Sequence, residues 1–236
     1  MRLNADFVYD FFTSAFVRLK RMETIPTGHI TENIFAIKTG SVNLYIYKKG
    51  PDSIAIDAGF GRSVLKRELA VMGIDPSCIN SVFLTHSDFD HTKGLPVFEN
   101  AEVYLSSDEE QMITGKIARK FGLIYNGRVN QKYRLLKSDE EITVGTINVK
   151  AIATPGHTPG SMSYLVDDSY LFVGDSFKLM NQKAYPIGPF FSMDQEMQQE
   201  SMRKLARLKN VHMAFTGHRG YTTDFGYAMM EWIESR

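Results

Sequence analysis

The 236 residues include six histidines. Four of them, His86, His91, His157 and His218, stand beside Gly, Thr or Asp where apolar runs end. Loops that follow strands are where a scaffold presents reactive groups, and imidazole with carboxylate is a donor set suited to zinc, iron or manganese. The densest stretch is Thr85-His86-Ser87-Asp88-Phe89-Asp90-His91. It is too rich in histidine for an ordinary turn and too concentrated for a solvated face. Side chains alternate at a strand end, so His86 and Asp88 can be aimed to one side while the following segment turns Asp90 and His91 towards a second ion nearby. Two adjacent metals lower the pKa of a bound water towards ~7 and polarise a carbonyl or phosphoryl oxygen, which permits hydrolysis without a protein nucleophile. His29 and His212 lack such company and read as ordinary surface or core residues. The single cysteine, Cys78, offers neither a disulfide nor a paired-thiol metal spacing.

The elements that must carry these groups follow from periodicity. Short apolar or alternating runs at Ile34 to Ile37, Val42 to Tyr47 and Ile54 to Ile56 read as strands. Arg62 to Met72 has helical spacing and is stopped by Gly73 and Pro76; the strand Val82-Phe83-Leu84 follows. Further on come a strand at Val103 to Leu105, a helix around Asp108 to Phe121, strands at Tyr133 to Leu136 and Ile147 to Ile152, and a hairpin pairing Met162 to Val166 with Tyr170 to Val173 through a two-residue Asp167-Asp168 turn. A helix over Gln195 to Leu208, a strand near Met213 to Phe215 and a helix from about Thr223 to Ile233 complete the order. Mixed strands and helices in two halves predict an α/β layered architecture.

On these residues the chain resembles the metallo-β-lactamase superfamily, whose signature is H-x-H-x-D-H with separated ligand motifs in a set order. Asp57 lies in Ile56-Asp57-Ala58-Gly59 and His86 to His91 occupy the signature; His157 lies in Thr154-Pro155-Gly156-His157-Thr158-Pro159-Gly160-Ser161, Asp175 in Phe172-Val173-Gly174-Asp175-Ser176, and His218 in Thr216-Gly217-His218-Arg219-Gly220. The resemblance implies a four-layer αββα sandwich of two mixed sheets with helices on the outer faces, over residues 25–236, preceded by an amphipathic helical extension at 1–24. It assigns His86, Asp88 and His157 to one divalent ion, Asp90, His91 and His218 to the other, and Asp175 to a bridge between them. Asp90 would orient the nucleophilic water, and Asp57 would support the ligands by hydrogen bonds from outside the set. Gly59, Gly94 and Gly156 would let the loops turn tightly. At position 88 the family usually has histidine. Aspartate there makes the set harder and more negative, so manganese or iron becomes plausible beside zinc, the first expectation. Flavodiiron proteins and competence nucleases resemble the variant position, whereas the run from Thr154 to Ser161 is similar to glyoxalase II and lactonase relatives.

The expected function is therefore attack by a metal-activated water on an ester, thioester, lactone or phosphodiester of a small molecule. The alternatives are a non-haem iron redox enzyme acting on oxygen or persulfide, and a metal-dependent nuclease or phosphodiesterase. Substrate selection is expected from two segments, Ile113 to Lys132 with Tyr125 and Arg128, and Phe177 to Met193 with Lys178, Tyr185, Phe190 and Phe191. Lys plus Arg and Asp plus Glu both number 27, so no global basic field holds nucleic acid. The apolar positions at residues 5–22 are broken by Asp6, Asp10 and Arg18, well short of the ~20 residues of a spanning helix, and describe a face for packing, homodimer contact or membrane-surface contact. A reduced, cytoplasmic protein is the expectation.

Overall fold

The structure, a computed structural model, describes residues 24–119, 126 and 129–234. The strands are β1 (Gly28–His29), β2 (Ile34–Thr39), β3 (Val42–Lys49), β4 (Asp52–Ile56), β5 (Ser81–Phe83), β6 (Glu102–Ser106), β7 (Tyr133–Leu136), β8 (Glu141–Val144), β9 (Ile147–Ala153), β10 (Met162–Val166), β11 (Tyr170–Gly174), β12 (Lys178–Met180), β13 (Lys183–Tyr185), β14 (Met213–Thr216) and β15 (Tyr221–Thr222). The helices are α1 (Arg62–Val71), α2 (Phe89–Thr92), α3 (Glu110–Ile113), α4 (Gln195–Ala206) and α5 (Phe225–Glu234). One sheet has the order β1-β2-β3-β4-β5-β6-β7, antiparallel through β4 and parallel from β4 to β7. The other runs β15-β14-β11-β10-β9-β8, with β11 and β14 parallel.

The inner faces of the two sheets meet in a core of Ile34, Tyr45, Ile54, Phe83, Tyr164, Phe172 and Phe215. The outer face of the first sheet packs Leu44, Val82 and Leu84 against Leu65 and Leu69 of α1. The outer face of the second packs Leu171 and Val173 against Met202 and Leu205 of α4 and Met229 of α5. Strands buried on both faces carry continuous apolar runs, which is why β4 and β11 read as unbroken hydrophobic segments. The result is the αββα sandwich, with helices outside two mixed sheets.

Two local expectations change. Among the described residues, the helix expected around Asp108 to Phe121 is the four residues of α3, because the chain turns at Gly115 with φ +75°. The hairpin connection is three residues, Asp167 to Ser169, since Val166 pairs with Tyr170. Asp167 and Asp168 both adopt positive φ, as a type I′ turn requires, and Ser169 is the additional residue. The short strands β1, β8, β12, β13 and β15 were outside the periodic signal. Residues 5–22 and the candidates Tyr125 and Arg128 lie outside the described residues. Among the described residues, no helix is long and apolar enough to cross a membrane.

Candidate metal centre

The functional side chains converge because parallel strands end at the same edge. β4 delivers Asp57, β5 delivers the loop from Thr85 into α2, β9 delivers the loop with His157, β11 delivers Asp175 and β14 delivers His218. These five are the C-terminal ends of strands that run the same way within their sheets. The two edges are sewn together by Met162 N donating to Thr85 O at 2.8 Å and by Tyr164 Oη donating to Leu84 O at 2.7 Å. Tyr45 Oη donates to Thr216 O at 2.8 Å on the other side.

Seven side chains meet there. His86, Asp88 and His157 form one group with ligand atoms within 4.8 Å of each other; Asp90, His91 and His218 form a second; His86, His91 and Asp175 form a third that joins them. Asp175 Oδ2 is 3.4 Å from His157 Nε2 and 3.2 Å from His218 Nε2, while its Oδ1 is 3.7 Å from His91 Nε2. Asp88 Oδ2 is 3.2 Å from His157 Nε2 and 3.6 Å from His86 Nε2. Asp90 Oδ2 is 3.3 Å from His218 Nε2.

The outward nitrogens of three imidazoles are held so that Nε2 faces the centre. His91 Nδ1 donates to Asp57 Oδ2 at 2.8 Å, and His218 Nδ1 donates to Ser41 O at 2.6 Å. His86 Nδ1 contacts Thr85 Oγ1 at 3.0 Å, and that hydroxyl donates to Asp57 Oδ2 at 2.9 Å. One buried aspartate thus orients two imidazoles, the role outer carboxylates take around metal sites. Asp57 itself sits at φ +64°, an uncommon conformation for a non-glycine residue that the surrounding hydrogen bonds hold in place.

The fit of this cage to cations is tested by its unsatisfied atoms. His86 Nε2, Asp88 Oδ1, His91 Nε2 and Asp175 Oδ1 are buried and have no hydrogen-bond partner. Buried polar atoms without partners are costly, and four of them among these seven side chains fit a site that takes up cations. Charge points the same way. Burial would raise the Asp175 carboxyl, yet His218, His157 and His91 hold it well below the ordinary carboxylate range. Burial likewise opposes ionisation of Asp88, but His157, His86 and Arg119 outweigh it and lower its pKa strongly. Burial lowers His91, and Asp57, Asp90 and Asp175 overcome this to raise it to about 10. His157 goes the other way, to about 4, because burial dominates over Asp175.

All three glycines read as loop hinges have a steric cause; a Cβ on Gly59, at φ +71°, would strike the Thr39 hydroxyl. A Cβ on Gly94 would strike the backbone carbonyl of Ala58, and one on Gly156, at φ +135°, would strike the Gln198 backbone. Of the substrate-segment candidates, Lys178 and Tyr185 pair across the β12–β13 hairpin. Burial, with the charge of Arg219 next to His218, lowers the Lys178 ammonium. Phe190 is exposed and packs edge-on against Phe191 at 4.9 Å.

Three residues that sequence reasoning missed shape the centre. Glu109, fully buried, accepts from Ser87 N and Oγ with one oxygen and from Thr158 Oγ1 and Gly160 N with the other, joining the two loops that carry Asp88 and His157. Gln198, also fully buried, donates to Asp175 O and Ser176 O and ties them to α4. Arg119 reaches both Asp88 and His157 with its guanidinium. Neither Glu109 nor Arg119 lies in a recognisable motif.

The sequence profile described as the metallo-beta-lactamase superfamily matches residues 37–218. A probable metallo-hydrolase of Methanocaldococcus jannaschii is 33% identical over 159 residues, covering 67% of this chain and 66% of that protein. A hydroxyacylglutathione hydrolase-like protein of Homo sapiens is 26% identical over 183 residues, 75% of this chain and 55% of its own. A hydroxyacylglutathione hydrolase of Bartonella henselae is 28% identical over 141 residues, 59% and 49% respectively. The aligned part therefore spans about half to two thirds of these relatives' lengths. Among solved structures, an archaeal metallo-beta-lactamase superfamily protein of Sulfolobus tokodaii superposes with a TM-score of 0.65 at 24% identity, covering 85% of this chain and 84% of that one. BJP-1, a subclass B3 metallo-beta-lactamase of Bradyrhizobium japonicum, superposes with a TM-score of 0.67 at 20% identity over 93% and 86%. At these identities the likeness is one of fold.

Proposed function

The chain belongs to the metallo-beta-lactamase superfamily and is a hydrolase of that fold, and we propose that it uses two divalent ions to hydrolyse an ester, thioester, lactone or phosphodiester of a small molecule. The observation that carries this reading is the pair of three-residue groups, His86/Asp88/His157 and Asp90/His91/His218, with Asp175 3.4 Å from His157 and 3.2 Å from His218 and with buried, unpartnered ligand atoms among them. His86, Asp88 and His157 would hold one ion and Asp90, His91 and His218 the other, with Asp175 between them. Such a pair supplies Lewis acidity and a water that ionises near neutral pH.

The chain's own residues do the rest. Asp90 has the most exposed side chain of the seven, at 29%. We assign its carboxylate the role of orienting the attacking water. Asp57, through His91 directly and His86 by way of Thr85, holds the imidazoles from turning. Lys178, Tyr185, Phe190 and Phe191 are the residues we assign to substrate binding, since one cation with several aromatic rings is a mixture suited to a small organic anion. The hydroxyacylglutathione hydrolase relatives favour placing a thioester first in the substrate panel.

Elemental analysis of purified protein beside an ester, thioester, lactone and phosphodiester panel tests the proposal. Two equivalents of zinc or manganese and turnover of one bond class are expected, with turnover abolished and metal content lowered in His91→Ala. Iron with oxygen uptake and no hydrolysis would replace it with the redox reading, and near wild-type turnover in His91→Ala would end it.

A further inference from the structure

The segment after α3 brings Arg119 back over the Asp88 side of the centre, where its side chain is only 12% exposed. Its Nη2 is 3.0 Å from Asp88 Oδ2 and 3.0 Å from His157 Nε2, and donates to Phe191 O at 2.6 Å. Its Nη1 donates to His157 O. The guanidinium therefore engages two of the three side chains of one group, while Asp90, His91 and His218 have no contact with it among the described interactions.

We propose that Arg119 is a tethered cation that competes with a metal ion for the Asp88–His157 half of the centre, so that this half loads second and more weakly than the half built on Asp90, His91 and His218. The inference rests on the metal-centre reading above. Its physical basis is exclusion. A neutral imidazole Nε2 has one in-plane lone pair, which either accepts an N–H or binds an ion. Two cations drawn to one carboxylate also repel each other in a poorly solvated site. Aspartate at position 88 makes this possible, because a carboxylate attracts a guanidinium where an imidazole would not. Loading of this half requires Arg119 to release His157 and Asp88, and its bond to Phe191 O then loses its anchor. Metal occupancy is thereby linked to the segment that carries Phe191.

The test is calorimetric titration of the metal-free full-length chain with Zn2+, in the presence of a competing chelator, for wild type, Arg119→Ala and the near-isosteric, uncharged Arg119→Gln. Wild type should show a tight and a weaker class of site, and Asp88→Ala should remove the weaker one. Both arginine variants should tighten the weaker class by about tenfold or more, about 1.4 kcal/mol, and leave the tight class within roughly threefold, about 0.65 kcal/mol. An unchanged or weakened second class in the variant that folds overturns the proposal, as does loss of the tight class in Asp88→Ala. Failure of wild type and both variants to take up Zn2+ is a different result, one that removes the metal-centre reading itself.

Discussion

Glu109→Gln exchanges one oxygen for an amide nitrogen in a pocket that offers the carboxylate only donors. Ser87 N and Oγ lie at 2.9 and 2.7 Å from one oxygen, and Thr158 Oγ1 and Gly160 N at 2.7 and 3.1 Å from the other. The two hydroxyls can reverse and accept. The two backbone N–H groups cannot, so whichever way the amide turns, one buried N–H faces another donor. An orphaned buried donor costs about 1–3 kcal/mol. Burial also raises the Glu109 carboxyl against the pull of His86, Ser87 and Thr158, so removing its charge returns part of that cost. We expect a net loss of about 1–2 kcal/mol, read as a lower urea midpoint at unchanged slope. The function should suffer more than the stability. Ser87 lies between His86 and Asp88, and Thr158 follows His157, so the brace sets the 3.2 Å approach of His157 to Asp88. A misplacement of about 1 Å at reacting groups costs on the order of 100-fold in rate, and kcat is expected to fall by roughly 10- to 100-fold with metal content reduced. A variant with stability within about 0.5 kcal/mol of wild type and full metal content would refute the argument that Glu109 braces the two loops.

Asp88→His restores a neutral donor where the chain has a carboxylate and removes the partner of Arg119; metal analysis after growth in mixed zinc and manganese should shift towards zinc, and an unchanged profile would mean that Asp88 points away from the ion. Asp167 accepts from Tyr47 Oη at 2.8 Å, Lys49 Nζ at 2.9 Å and Asn148 N at 3.0 Å, and these bonds lower its carboxyl against the effect of burial. A lowered folded pKa contributes stability that is present above the unfolded value near 4 and is lost as pH falls through the folded one. Asp167→Asn keeps a residue tolerant of positive φ, so it should lose about 0.5–1 kcal/mol at neutral pH, after screening at this partly exposed site, and less in acid below the unfolded value near 4. Equal losses at both pH values in denaturation curves would contradict the electrostatic account.

The chain's local order carried much of this molecule. Apolar runs at Ile54 to Ile56 and Tyr170 to Val173 are strands because only continuous hydrophobic segments suit positions covered on both faces. Asp167-Asp168 marks a turn because few residues tolerate positive φ there. His86, Asp88, Asp90, His91, His157 and His218 could be singled out because imidazole and carboxylate at strand ends have a chemistry that their types announce, and the resemblance to the superfamily's motifs added Asp57 and Asp175. Tertiary structure decided what surrounds them. Glu109 sits in the acidic run Asp108-Glu109-Glu110, where nothing separates a buried brace from a solvated charge until β6 and the loop after β9 close over it. Ser41 orients His218 from 177 residues away through a backbone carbonyl, which every residue possesses. Arg119 is one arginine among many until the chain folds it against Asp88 and His157. Residue type and spacing are properties of neighbours along the chain, whereas the loops that orient a site meet only when two sheets pack, and the partners of a buried group are chosen there.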